Sequence, residues 1–204
     1  MTGTGLRERK KQRTRAAIIE AAARLFEQQG YEGTTITQIA AAVEISPRTF
    51  FSYFPSKEDV LFAGTGARIQ VALDLVAAAG PDDPPAEVLL RAVQQILASE
   101  AFTADLGGRM GAVRFRLATS TPALQAAALK RFLQAQEEIA AALHRAYPGR
   151  LDLATATAMV GALLGAVFAT VLASLRRGDD PDGIRTAAGR AAAVAWHGIG
   201  APVD

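Results

Sequence analysis

Residues 35–54 read TITQIAAAVEISPRTFFSYF. Ile36, Ile39, Ala40 and Val43 recur at helical spacing, so the first half predicts a short helix over about 36–43 with one apolar face. Thr35 stands three residues before Gln38, the spacing at which two residues cap a helix start reciprocally. Glu44–Ile45–Ser46 makes a tight connection to a second short helix over about 47–53. Ser46 is its N-cap, Pro47 takes the first helical position, where proline is tolerated, and Pro55 ends it. Short helix, tight turn and short helix are the dimensions of a helix-turn-helix unit, whose second helix enters the DNA major groove by its N-terminal residues.

Those residues are Ser46, Pro47, Arg48 and Thr49. A guanidinium can grip O6 and N7 of guanine, while threonine can meet a thymine methyl or a phosphate. Ser52, Tyr53 and Lys57 are then available for phosphates, and Ile45, Phe50 and Phe54 for anchoring the helix to a small core. Phe50, Phe51, Tyr53 and Phe54 crowd so short a helix that they cannot all point inward.

Upstream, Ile19, Ala22, Ala23 and Phe26 give one apolar face to a helix over about 7–29, stopped by Gly30. Its start is basic: Arg7, Arg9, Lys10, Lys11, Arg13 and Arg15 stand against the single acid Glu8. Residues 61–204 hold 13 basic and 13 acidic side chains, so the excess is a local arm, suited to nucleic acid or anionic lipid. Downstream, Ser56 and Asp59 repeat the capping spacing for a long helix over about 56–79. Further helices follow over about 85–101, 103–119, 122–146, 152–177 and 182–199, with proline and glycine at the breaks. The expected fold is all-α: a three-helix helix-turn-helix domain over 1–57 and a helical-bundle domain over 58–204 for ligand binding and dimerisation.

The 204 residues contain no Cys and only His144 and His197, which argues against disulfides, thiolate metal sites and cysteine nucleophiles. No catalytic, metal or cofactor site is expected, because neither histidine sits in a nucleophile motif. Gly64–Thr65–Gly66 has the start of a dinucleotide fingerprint but lacks its third glycine and preceding strand, and Gly107–Gly108 lacks a phosphate-loop lysine. Leu153–Leu175 runs 23 residues without a charge, which is membrane-spanning length. It is Ala-rich and carries Thr155, Thr157, Thr170 and Ser174, so a helix buried in a core plus a subunit interface is the stronger reading and no membrane partner is expected.

The helix ending LFEQQGY, the Gly33–Thr34–Thr35 entry and the segment SPRTFFSYFPSKE resemble the DNA-binding head of the TetR (tetracycline-repressor-like) family over about residues 10–57. The resemblance implies a cytoplasmic homodimer that binds double-stranded operator DNA and responds to a small inducer, as a repressor of nearby genes. Carried over by position, the DNA contacts are Thr35, Ser46, Arg48, Thr49, Ser52, Tyr53 and Lys57. Phe51 stands where many members have Tyr, and Ser52 where Arg or His is frequent.

In the body, Gly161 and Gly165 form a small-xxx-small pair that lets helices approach closely, across a dimer interface or within one subunit. Leu164, Val171 and Trp196 are further interface candidates for a dimeric four-helix bundle, although Trp196 equally suits the monomer core. Met110, Arg114, Phe115, Leu117 and Phe132 combine apolar and cationic character, and this region is similar to a TetR subgroup that binds acyl-CoA-like ligands. An apolar or amphipathic anion is the inducer class this implies. The competing reading is a helical small-molecule-binding protein or enzyme whose basic arm is incidental.

Overall fold

The computed structural model describes residues 3–199, and every regular element among them is a helix. In chain order these are α1 (Gly3–Gln29), α2 (Ile36–Ala41), α3 (Pro47–Phe51), α4 (Lys57–Leu61), α5 (Thr65–Ala77), α6 (Pro85–Ala98), α7 (Glu100–Gly107), α8 (Arg109–Ser120), α9 (Pro122–Ala146), α10 (Leu153–Arg177) and α11 (Pro181–Ile199). They fall into two compact units. The head runs through Ala63 and takes in Gly108–Ala128; the body comprises Gly64–Gly107 and the chain from Leu129 onward.

This division differs from the expected boundary at residue 57 in two ways. Val60 and Leu61 of α4 are fully buried in the head core, which carries the boundary to Ala63. Met110, Val113 and Leu117 of α8, with Leu124, join the same core as Ile18, Phe26, Ile39, Phe50 and Phe54. Three short helices supply little apolar surface, and α8 adds what they lack. An ion-pair clamp accompanies it: Arg109 reaches Glu27 at 2.7 Å and Glu20 at 3.2 Å on α1.

Two expected helices are broken in two. The helix expected over 56–79 stops at Leu61, and α5 restarts after Gly64, whose φ of 95° lies where side-chain-bearing residues are strained. The helix expected over 103–119 yields to α7 and α8, with Gly108 extended between them. The glycines that mimic phosphate loops are therefore helix punctuation.

In the body, α10 lies along α11, and α6 packs on both α5 and α11. Val76, Val88, Leu143, Tyr147, Val160, Leu163, Ala188 and Ala192 form its core. Asp152 caps α10 through the Thr155 N–H at 2.8 Å, and Gly178 ends it at φ 76°. One side of α10 is fully buried within the chain, and much of the rest is only partly covered. Ala156, Val160, Leu163 and Ser174 are buried, whereas Leu153 and Phe168 are about half exposed. By length and composition alone α10 is apolar enough to cross a membrane.

Candidate nucleic-acid interface

The recognition segment is set by three hydroxyl caps in succession. Thr35 accepts the Gln38 N–H at 3.2 Å while the Gln38 carboxamide oxygen accepts the Thr35 N–H at 2.8 Å, which fixes the start of α2. Ser46 accepts the Thr49 N–H at 3.0 Å and starts α3 behind Pro47. Ser56 does the same for α4 through the Asp59 N–H at 3.1 Å. Between α2 and α3 the chain reverses over Glu44, the one described non-glycine residue with positive φ, at 56°. The Ile45 N–H then returns to the Ala40 carbonyl at 3.0 Å and closes the turn.

Packing turns α3 the right way out. Phe50 is fully buried and Phe54 nearly so, while Phe51 is 53% exposed and meets Phe50 edge-on at 5.8 Å between ring centroids. Burying Phe50 and Phe54 contributes about 1.5–3 kcal/mol each. With them fixed, Ser46, Arg48, Thr49 and Ser52 all face solvent and Tyr53 is half-buried. All three of these exposed hydroxyls have local work: Ser46 and Thr49 pair at 2.9 Å, and Ser52 donates to the Thr49 carbonyl at 2.6 Å. Arg48 is the long cationic side chain on the leading turn of α3.

Lys57 has a task inside the head that its position in the sequence does not disclose. Its ammonium donates to the Tyr31 carbonyl at 2.7 Å and the Thr34 carbonyl at 2.9 Å, and lies 4.1 Å from the Tyr31 ring centroid. It thus pins the turn that leads into the Thr35 cap. Two of its three protons are spent there. The same turn explains Gly33, where an added Cβ would lie 2.5 Å from the Gln29 carbonyl oxygen.

The family model for bacterial regulatory proteins of the tetR family matches residues 18–63, which span α2, the turn, α3 and α4. Residues 18–63 of the head are thus a tetR-family N-terminal domain. The transcriptional regulator TcmR of Streptomyces glaucescens is 38% identical over 151 residues, 72% of this chain and 65% of that relative. The chain thus spans about two thirds of the length of that curated relative. Two crystal structures share the fold across both units. One is a TetR-family repressor, Thermus thermophilus FadR with lauroyl-CoA, at TM-score 0.53 and 23% identity, covering 93% of this chain and 97% of that one. The other is a TetR-family regulator from Mesorhizobium loti, at TM-score 0.53 and 16% identity, covering 93% and 96%.

Of the seven residues carried over from the TetR pattern, Thr35, Ser46, Arg48, Thr49 and Ser52 lie exposed along α2 and α3, with Tyr53 and Lys57 half-buried beside them. The candidates for an inducer site are distributed differently. Met110 and Leu117 are buried in the core of the TetR head, and Arg114 donates to the Leu61 carbonyl at 2.7 Å. Phe115 is half-buried in the same unit, whereas Phe132 belongs to the body and stacks on Phe168 at 4.7 Å. Their apolar spacing on one helix is that of core residues, and the sequence carried no sign that the core was the head's. Leu164 and Val171 pack against the body core, and Trp196 is half-buried. His144 places Nδ1 2.7 Å from the Leu151 carbonyl, a structural contact that ties the end of α9 to the following turn.

Proposed function

We propose that this protein is a cytoplasmic, DNA-binding transcriptional regulator that acts as a ligand-responsive repressor. The observation that carries the reading is α3: a capped helix in a tetR-family head, anchored by Phe50 and Phe54, with Arg48 and Thr49 on its exposed leading turn. Arg48 reads a base edge, Thr49 and Tyr53 meet phosphate or a thymine methyl, and Lys57 adds one phosphate contact to its internal role.

The working form in this reading is a homodimer joined through α10 and α11. An added Cβ at Gly165 would meet nothing within 4 Å, and one at Gly161 only the Gln136 carboxamide at 3.9 Å. Close packing inside the chain therefore does not require either glycine, which favours the partner-facing role for the pair. Phe168 on α10, still about half exposed beside Phe132, supplies apolar area for a second copy. A two-fold dimer presents two identical recognition helices, so the operator is an inverted repeat. The inducer is an apolar or amphipathic anion of the acyl-thioester kind, for which lauroyl-CoA on Thermus FadR is a precedent on this fold.

Selection of bound sequences from a random DNA pool tests the reading. The expected consensus has dyad symmetry, and binding weakens steeply as salt is raised. A protein that retains no DNA at low salt, or a consensus without a dyad, overturns it.

A further inference from the structure

α1 begins at Gly3, so it runs some fifteen residues ahead of the matched tetR region, which starts at Ile18. In the matched part, the face of α1 turned inward carries Ile18, Ala22 and Phe26, all buried in the head core. At 100° per residue the same face continues upstream through Arg15, Lys11, Glu8 and Arg7. A face that is apolar inside the head becomes basic where the helix passes beyond it. Arg7 and Lys11 are exposed, and Glu8 accepts a hydrogen bond from Gln12 at 3.0 Å on the same side.

Arg15 shows where this face leads. Its guanidinium lies 4.8 Å from the centroid of the Phe54 ring, at the end of the recognition segment. Arg15 thus ties the basic face of the arm to the end of the recognition segment. Arg7 stands about 12 Å further along the helix axis than Arg15.

We propose that the N-terminal part of α1, over residues 7–11, is a second DNA-binding element, a helical arm whose Arg7 and Lys11 contact backbone phosphates flanking the bases read by α3. The inference rests on the DNA-binding reading above. The arm contributes affinity without sequence preference, because phosphates carry no base information. Polyanionic DNA is favoured over an anionic membrane, because the described side chains of the arm include a single large apolar one, the exposed Leu6, too little to anchor a helix in a bilayer.

The test compares the full-length protein with the Arg7→Gln/Lys11→Gln double variant on a random-sequence duplex across a salt series. Each lost phosphate contact lowers the slope of log K against log salt by about 0.9, so the double variant should be shallower by about 2. Selected and random DNA should weaken by the same factor, and the Arg7→Lys/Lys11→Arg variant should restore the slope. An unchanged slope in the double variant overturns the arm while leaving the DNA-binding reading intact. Failure of the unmodified protein to bind any duplex overturns both. Loss of sedimentation with phosphatidylserine/phosphatidylcholine vesicles, with the DNA slope unchanged, assigns the arm to membranes and also overturns it.

Discussion

The head and the body are both helical, but the shortest helices, all in the head, start by different means from several of the longer ones. In the head, α2, α3 and α4 have six, five and five residues, and each opens on a threonine or serine hydroxyl bonded three residues ahead. Among the longer helices, α5 and α6 of the body, with 13 and 14 residues, and α8 of the head, with 12, open on Gly64, Pro84 and Gly108 with no side-chain cap, while α10 keeps its Asp152 cap. Helices of five residues are far below the length that is stable alone, so the head depends on caps and a shared core. Longer helices gain enough from packing one face to tolerate an uncapped start. The surface the head presents therefore rests on its caps, and the body owes its form to which faces meet.

The sharpest way to break this contrast is to remove the head's anchor. Phe50→Ala should cost about 3–5 kcal/mol, release α3 and abolish DNA binding. Thermal unfolding followed by circular dichroism, with DNA retention measured alongside, checks it; a head that stays folded and binds would mean that the caps alone suffice.

The body offers the opposite experiment, because Gly165 has free space around it within the chain. Gly165→Val should leave the monomer fold intact while overpacking the proposed interface by about 1–3 kcal/mol per site, twice per dimer. Sedimentation should show a shift towards monomer with the helical signal retained. A tight dimer removes Gly165 from the interface.

Arg48 and Lys57 sharpen the comparison within the head. Arg48→Ala should cost about 1–3 kcal/mol on the selected site and relax preference at one position per half-site, with less effect on random DNA. Lys57→Met should instead lower head stability, since charge-assisted hydrogen bonds to two carbonyls are worth about 1.5–3 kcal/mol each. It should weaken all DNA sequences together. Competition binding and denaturant titration separate the two effects.

The smallest effect belongs to the α10 cap. The Thr155 backbone N–H, with its hydroxyl, holds the Asp152 carboxyl below the usual carboxylate range. A carboxyl depressed in the folded state stabilises the fold above its ordinary pKa, and that contribution disappears as pH falls through the depressed value. Asp152→Asn keeps a capping oxygen but does not titrate. Stability at neutral pH should change little, and unfolding below about pH 4 should be less pH-dependent in the variant. Acid titrations of both proteins give the comparison.

Much of the head was legible in its sequence. Thr35, Ser46 and Ser56 announce their helices at three-residue range, and Pro47 and Pro55 bracket α3. The crowding of four aromatics around α3 correctly implied that one would face solvent, and Phe51 does. Lys57 was read as a phosphate contact alone, since its two carbonyl partners lie 26 and 23 residues upstream. The breaks at Gly64 and Gly108 were also missed: a glycine within a helical pattern is tolerated as often as it breaks one.

Sequence by itself determined the helical class, the helix-turn-helix register, the caps and the charge asymmetry, because each is written in residues within about one helical turn of one another. Tertiary structure decided where α8 belongs. Met110, Val113 and Leu117 have the spacing of any buried helix face, and spacing names a buried face without naming its neighbour. It also decided which side of α10 is covered, since that helix is apolar nearly all round and its sequence favours no direction. Short-range signals fix how a segment folds; only the competition among apolar faces for the same buried space fixes what it folds against.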